Sequence, residues 1–188
     1  EQRLDVLVNN AGIGTEVPGG GERQESRDGY ELRFAVNYLA GYLLTRELLP
    51  LFERSAPARI VNVSSAGQMP IDFDDPLIET GYSGVRAYCQ SKLAQILFTV
   101  DLAERLPDGV TVTALHPATY MPTKIVSSPA SSLQEGVEAT MRLVADPALE
   151  GVSGAYFNGQ REQQADPQAY DGDARRQLRE LSERLVAG

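Results

Sequence analysis

Short β-type runs alternate with long helical stretches along the chain, and this alternation restricts the fold more than any other feature of the sequence. The first three runs consist almost entirely of β-branched and aliphatic residues, which is typical of parallel strands buried on both faces. Helical apolar spacing is found near 29–54, 84–106 and 132–145, and a last helix is predicted near 172–186. Strict alternation predicts an α/β fold with a doubly wound parallel sheet. The predicted strands are 4–8, 59–63, 110–115 and 155–157.

Composition and charge exclude several classes of protein. The 188 residues are predicted to form a single domain, 1–188, with a sizeable core. The net charge of −9 has the wrong sign for a protein that binds the phosphate backbone of nucleic acids. The single cysteine, Cys89, and the lack of a ligand cluster predict neither a disulfide nor a metal site, which suits a reducing cytoplasm. No apolar run approaches the length of a membrane span.

The N-terminal end of the sequence indicates that more chain lies upstream. The sequence opens with Glu1, not Met, and enters the first predicted strand almost at once. We therefore expect the chain to be the C-terminal portion of a larger domain, whose first strands precede residue 1. In that case strand 4–8 would lie at an unprotected edge of the sheet in a 188-residue protein.

Two groups of small polar residues follow predicted strands. The segment 9–12, Asn-Asn-Ala-Gly, comes directly after the first strand, and Ser64 and Ser65 come directly after the second. Taken alone, each favours an ordinary role, as a turn or as a partner for loose backbone groups. Both nevertheless lie at the carboxyl edge of a parallel sheet, where α/β proteins bind ligands.

A tyrosine and a lysine share one face of the second predicted helix. Tyr88 and Lys92 are four residues apart and therefore lie one turn apart. The spacing is common by chance, but its chemistry is specific. A phenol has a pKa of about 10 and exchanges protons poorly at neutral pH unless a nearby cation stabilises the phenolate.

Three single residues have ordinary explanations as well as functional ones. Asn37 lies in the middle of a helix, where it either faces solvent or is buried to hold a water or a backbone group. His116 is the only histidine, and a structural role is favoured for it because no acidic partner is evident. Cys89 lies next to Tyr88 but about 100° round the helix from it, and we expect it to pack.

The order and placement of these motifs resemble the short-chain dehydrogenase/reductase family, up to at least residue 123. The stretch 87–106, with its Tyr-Cys-Gln-Ser-Lys-Leu-Ala core, further resembles the retinol-dehydrogenase-like branch. The resemblance implies a Rossmann-like sheet. The motifs that carry it are Leu-Val-Asn-Asn-Ala-Gly (7–12), Asn37, Ile-Val-Asn-Val-Ser-Ser (60–65), Tyr-Cys-Gln-Ser-Lys (88–92) and His-Pro-Ala-Thr (116–119).

The resemblance also implies roles for particular residues. Tyr88 would be the general acid/base, and Lys92 would tune its pKa and hold the nicotinamide ribose. Ser65 would polarise the substrate carbonyl, and Asn37 would support a water that leads to Lys92. The residues implied at the cofactor are Asn10, Ala11 and Gly12 on its adenosine side, and Pro117, Thr119 and Tyr120 near its nicotinamide.

The sequence departs from the family pattern in three respects. The glycine-rich strand-turn-helix that seats the pyrophosphate is not in the chain, so we expect the 188 residues alone to bind NAD or NADP weakly. Pro117-Ala118 stands where the family has Pro-Gly, and the segment between Ser65 and Tyr88 is long. The apolar residues of that segment, Met69, Ile71, Phe73 and Leu77, hint at a lipophilic substrate.

The resemblance predicts an oxidoreductase that transfers a hydride between NAD(P) and a small-molecule alcohol or carbonyl. It also implies homo-oligomers, formed through the helices near 29–54 and 84–106. A second hypothesis remains open, in which the chain is a shortened family member that binds a partner without a dinucleotide or redox chemistry.

Overall fold

A mostly parallel sheet runs through the centre of the molecule. The computed structural model describes residues 2–15, 21–123 and 126–187, and within them the sheet has five strands in the order β1 to β5. The first four strands are parallel, and β5 returns antiparallel to β4. Among the described residues, β1 pairs only with β2 and so forms one edge. The strands are β1 (Val6–Asn9), β2 (Ala58–Val63), β3 (Val110–His116), β4 (Tyr156–Asn158) and β5 (Arg161–Glu162).

The four predicted strands and four predicted helices are confirmed. The strand that the sequence does not predict, β5, has two exposed residues and so lacks a hydrophobic pattern. The first helix is also more complex than predicted, because Phe34–Leu39 is π-helical before it continues as α1. The helices are α1 (Ala40–Ser55), α2 (Gly84–Ala103), α3 (Leu133–Ala145) and α4 (Gly172–Val186).

Helices cover both faces of the sheet, as a doubly wound fold requires. On one face, α3 packs Ala139 and Leu143 against Val61, Leu115 and Phe157 of the strands. On the other, α1, α2 and α4 share a larger core with the remaining strand side chains. Successive strand residues point to opposite faces of the sheet, and helices cover both faces. The side chains of β2 and β3 are therefore buried on both sides, and few of them are polar.

The broad apolar surface of α2 is covered within the chain itself. Tyr38 and Tyr42 stack against Phe98 of α2, with ring centroids 6.2 and 5.2 Å away. From the last helix, Ser182 lies 2.6 Å from the Tyr38 hydroxyl, and Arg179 pairs with Asp101 of α2 at 2.6 Å. The α2 face that motivated the expectation of homo-oligomers is therefore occupied, and oligomerisation stays a prediction.

A line of buried amide and hydroxyl groups runs across β1 and β2, on the face of the sheet that α1 and α2 cover. Nδ2 of Asn9 donates to Oγ1 of Thr45 at 3.0 Å and to Oδ1 of Asn62 at 2.8 Å. Nδ2 of Asn62 in turn donates to Oγ1 of Thr99 at 2.9 Å. Asn9 and Asn62 are register partners in β1 and β2, so this polar ladder ties the two strands side by side.

Candidate active site

The carboxyl edge of the sheet brings the polar strand ends together. Residues 10–12 follow β1, Ser64 and Ser65 follow β2, and Pro117 follows β3. The next helix, α2, begins at Gly84, and the Ser83 hydroxyl caps it by accepting a hydrogen bond from the backbone N–H of Arg86. The first half of α2 carries Tyr88 and Lys92 to this same edge.

Ser65 and Tyr88 lie side by side, as the motif predicts. Oγ of Ser65 and Cε1 of Tyr88 both lie close to Gly67, and the Ser65 hydroxyl accepts a hydrogen bond from the backbone N–H of Gly67 at 3.0 Å. Burial raises the pKa of Tyr88, and the contact with Ser65 partly opposes this rise. The phenol is therefore protonated at neutral pH.

The loop after β2 passes close to this pair at Gly67. A Cβ atom at Gly67 would lie 3.4 Å from Sγ of Cys89, 3.5 Å from Oγ of Ser65 and 3.7 Å from Cε1 of Tyr88. The half-buried Cys89 thus packs beside the tyrosine and the serine. Burial raises the pKa of the Cys89 thiol, which keeps it protonated and unreactive.

Lys92 is buried and turned toward neutral acceptors. Its ammonium group lies 5.9 Å from the centroid of the Tyr88 ring and donates to the Val63 carbonyl at 2.9 Å and to Oε1 of Gln95 at 3.1 Å. Burial lowers the pKa of Lys92 to about 8. In this arrangement burial, and not the cation, dominates the pKa of Tyr88, which is raised where the spacing alone predicts that it is lowered.

Asn37 is buried, so the solvent-facing alternative for it is wrong. Its Oδ1 accepts from the Ile13 N–H at 2.7 Å, and its Nδ2 donates to the Ile13 carbonyl at 3.1 Å and to Oγ of Ser91 at 2.9 Å. Asn37 therefore clamps the loop after β1 onto α2. Its π-helical setting is one that often marks functional sites.

The segment after β1 fits a dinucleotide. Asn10 and Ala11 are exposed, and a Cβ atom on Gly12 would lie 3.3 Å from Oδ1 of Asn37 and 3.5 Å from Nζ of Lys92. Exposed small residues next to a buried ammonium group, at the carboxyl edge of the sheet, suit a flat ligand with ribose hydroxyls. The role of residues 10–12 on the adenosine side of a cofactor stays a prediction.

The three residues predicted near the nicotinamide follow β3 and differ in exposure. Pro117 is buried beside the strand end, whereas Thr119 is exposed and Tyr120 is 61% exposed with a left-handed φ of 47°. Nε2 of His116 lies 3.1 Å from Oγ1 of Thr119, and burial lowers the pKa of this histidine. A neutral histidine that holds the segment fits the structural role favoured for it. No cluster of three or more His, Cys, Asp or Glu side chains among the described residues is placed to hold a metal ion.

Three of the four apolar residues that hint at a lipophilic substrate belong to the core instead. Ile71 is 4% exposed, and Phe73 and Leu77 pack against the larger core cluster. Only Met69 is open to solvent. The side chains of the long loop therefore anchor it to the protein and give no indication of substrate class.

A buried ion pair near the site has no signal in the sequence. The side chains of Glu31 and Arg33 are fully buried, with Nη1 of Arg33 3.7 Å from Oε1 of Glu31. The Tyr82 hydroxyl donates to Glu31 at 2.9 Å and accepts from Arg33 at 2.7 Å, and Arg33 also donates to the Gly14 carbonyl. This cluster ties the loop after β1 to the loop before α2. From sequence alone, Glu and Arg side chains are expected to be exposed to solvent.

The loop between β2 and α2 also contacts a polar cavity that the sequence does not predict. The cavity has a volume of about 290 Å³ and lies next to the backbone of Ser65. Its lining residues are Ala66, Gln68, Tyr156, Asn158, Gln163, Gln164, Ala165 and Asp166.

Comparison with known proteins places most of the chain in one family. A sequence profile described as "short chain dehydrogenase" matches residues 2–132. Retinol dehydrogenase 14 of Homo sapiens is 40% identical over an alignment of 205 residues including gaps, and the alignment covers 99% of this chain and 60% of that protein. Retinol dehydrogenase 13 of Mus musculus is 40% identical over 208 residues, covering 99% and 61%. The chain thus spans about 60% of the length of these relatives.

Solved structures share the fold. An uncharacterized protein from Mycobacterium Paratuberculosis superposes with a TM-score of 0.70 at 30% sequence identity, covering 100% of this chain and 68% of that one. The carbonyl reductase Sniffer of D. melanogaster superposes with a TM-score of 0.65 at 23% identity, covering 88% and 67%, and this likeness concerns the fold alone.

Proposed function

Since the chain belongs to the short-chain dehydrogenase family, as its sequence predicts, we propose that the protein transfers a hydride between NAD(P) and an alcohol/carbonyl pair. The observation that carries the proposal is that the side chains of Ser65 and Tyr88 come together beside Gly67, with Lys92 one helical turn from Tyr88. Three side chains of the types that carbonyl chemistry needs meet at the edge of the sheet where α/β folds bind ligands.

The proton would move through Tyr88. When bound, the nicotinamide supplies or accepts the hydride. In the reducing direction Tyr88 gives its phenolic proton to the substrate oxygen, and the Ser65 hydroxyl donates to the same oxygen as negative charge develops there. The Lys92 ammonium group then stabilises the phenolate. Burial raises the pKa of Tyr88, so the phenol carries its proton at neutral pH, and release of that proton depends on stabilisation of the phenolate by Lys92.

The dinucleotide would lie along the strand ends. Lys92 would hold the nicotinamide ribose, and residues 10–12 would line the adenosine side. Pro117, Thr119 and Tyr120 would lie near the nicotinamide. Asn37 would hold the loop after β1 in place through Ile13, and it would support the water that leads to Lys92.

The relatives support a substrate class. Several are retinol dehydrogenases, so we propose a lipophilic alcohol or its carbonyl partner as the substrate. We further propose a cytoplasmic, homo-oligomeric protein that does not bind nucleic acid. Among the described residues, no helix is both long enough and apolar enough to cross a bilayer.

The experiment follows NADH or NADPH oxidation by the whole protein with retinal and shorter aldehydes as substrates. Tyr88→Phe removes only the proton-transferring oxygen and should lower kcat by roughly 10²–10⁴-fold without loss of structure. Tyr30→Phe is the control, because it removes a tyrosine hydroxyl that lies outside the site and donates to the Leu185 carbonyl at 2.8 Å. Near-wild-type turnover by Tyr88→Phe would overturn the mechanism. If the protein turns over none of the aldehydes and a titration shows no binding of NAD(P)H, the non-redox alternative is favoured.

A further inference from the structure

Ser65 is held at its carbonyl as well as at its hydroxyl. The Tyr156 hydroxyl donates to the Ser65 carbonyl at 3.0 Å, and Nε2 of Gln68 donates to the same oxygen at 3.1 Å. At the other end of the residue, Oγ of Ser65 accepts the N–H of Gly67. The carbonyl contacts fix the ψ angle of Ser65 and the Gly67 contact fixes its χ1 angle, so together they set where the hydroxyl points.

The two carbonyl contacts come from groups that are themselves fixed. Tyr156 is 2% exposed and lies in β4, which pairs with β3 through Ala114. Burial raises the pKa of Tyr156 to about 12, so its hydroxyl keeps its proton and remains a donor at every physiological pH. The second donor, Gln68, is oriented because its Oε1 accepts the backbone N–H of Asp166 at 2.7 Å.

We propose that Tyr156 and Gln68 are positioning residues that aim the Ser65 hydroxyl at Tyr88 and at the substrate oxygen. The proposal rests on the hydride-transfer function proposed above. It assigns a role in the reaction to Tyr156, which lies beyond the stretch 2–132 that matches the family profile. It also accounts for the polar wall of the cavity beside Ser65, because two of its lining side chains are used to hold that residue.

A purely structural reading makes a different prediction. A buried tyrosine hydroxyl ordinarily finds a partner, and its loss costs stability wherever that partner lies. Under that reading, removing the Tyr156 hydroxyl would lower stability but would not act through Ser65. A double-mutant cycle separates the two, because residues that act through one another are not additive.

The test measures kcat, KM and urea unfolding for Tyr156→Phe, Ser65→Ala and the double variant of the whole protein. Tyr156→Phe should lower kcat about tenfold with KM changed less than about twofold, because a small misplacement of a group that acts in the transition state reduces turnover. In the Ser65→Ala background the same change should alter kcat by less than about twofold. Tyr30→Phe should leave kcat unchanged while costing similar stability.

Each other outcome overturns the proposal in a recognisable way. If Ser65→Ala turns over like the wild type, both the hydride-transfer mechanism and the positioning role fail. If Ser65→Ala is impaired but Tyr156→Phe retains its kcat, or loses it additively, the positioning role alone fails. Should Tyr156→Phe not fold, Gln68→Met decides, with an expected kcat loss of about threefold that disappears in the Ser65→Ala background.

Discussion

Nζ of Lys92 lies 3.1 Å from Oε1 of Gln95, one turn further along α2, so the buried cation is held by a neutral amide and not by a carboxylate. Its second acceptor, the Val63 carbonyl, is also uncharged. Because neither partner returns the hydration energy that burial removes, the pKa of Lys92 falls to about 8. The group proposed to stabilise a phenolate is therefore held in its charged form at an energetic cost.

That cost predicts that the contribution of Lys92 to the free energy of unfolding rises with pH. The unfolded chain keeps the ordinary lysine pKa of 10.5, whereas the pKa in the folded protein is about 8. Between these values the unfolded state binds more protons at this lysine, so the contribution of Lys92 to the free energy of unfolding increases from pH 8 to pH 10.5, by up to about 3 kcal/mol. Lys92→Met should be more stable than the wild type at pH 7, and the difference should shrink above pH 8. Urea unfolding at pH 7, 8.5 and 10 checks this, and a difference that grows with pH would contradict it.

Removing the Asn37 side chain should loosen the loop after β1. Asn37→Ala leaves both backbone groups of Ile13 and the Ser91 hydroxyl without their partner, which should cost roughly 2–4 kcal/mol in the free energy of unfolding. Asn10→Ala, at an exposed position in the same loop, should cost less than about 0.5 kcal/mol. Denaturant unfolding compares the two, and equal costs would mean that Asn37 does not act as a clamp.

Breaking the buried ion pair should be among the most damaging single changes in the chain. Glu31→Ala removes a buried carboxylate that pairs with Arg33 and accepts from the Tyr82 hydroxyl and the Phe34 N–H, for which about 3–5 kcal/mol is expected. Glu47→Ala removes an exposed carboxylate that pairs with Arg46 and should cost at most about 1 kcal/mol. Thermal unfolding of both variants checks the contrast. A Glu31→Ala protein as stable as the wild type would show that the cluster carries no net stabilisation.

In the part of the chain that the structure describes, β1 pairs on one side only, and this edge should make the 188-residue chain self-associate when it is expressed alone. The strand presents backbone groups beside the aliphatic side chains Val6, Leu7 and Val8, and edges of this kind recruit further strands. Val6→Glu places a charge opposite Arg59 and should shift the chain toward monomer in light scattering at micromolar concentration. Leu44→Glu, on the exposed surface of α1, should not. A wild-type chain that is already monomeric would contradict the expectation.

Regular elements were predictable because their signals are local. The buried runs of β2 and β3 and the apolar spacing of α2 each report on a few adjacent residues. The contact between Ser65 and Tyr88 was also predictable, since parallel strands and the helices that follow them meet at one edge of the sheet.

The supporting contacts of the site were not predictable, because they join residues that are far apart in sequence. Tyr156 reaches Ser65 across 91 positions, and nothing near either residue encodes that pairing. Glu31 and Arg33 have the composition of a solvated surface, and only the packed structure shows that they are buried. The pKa of Tyr88 depends on packing in the same way, because burial raises it and four-residue spacing does not reveal how deeply a side chain is buried.

The polar ladder of Thr45, Asn9, Asn62 and Thr99 has a consequence for alignment. Backbone hydrogen bonds alone would allow β1 to slide past β2 by two residues and still pair, with alternate side chains facing the same way. Such a shift would move Asn9 about 7 Å away from Asn62. The hydrogen bond between the two buried amides would then be lost, at a cost in free energy. The ladder therefore fixes the register of β1 against β2. It sets how far the turn after β1 projects relative to the end of β2, and so the spacing between Gly12 and Ser65 across the mouth of the site.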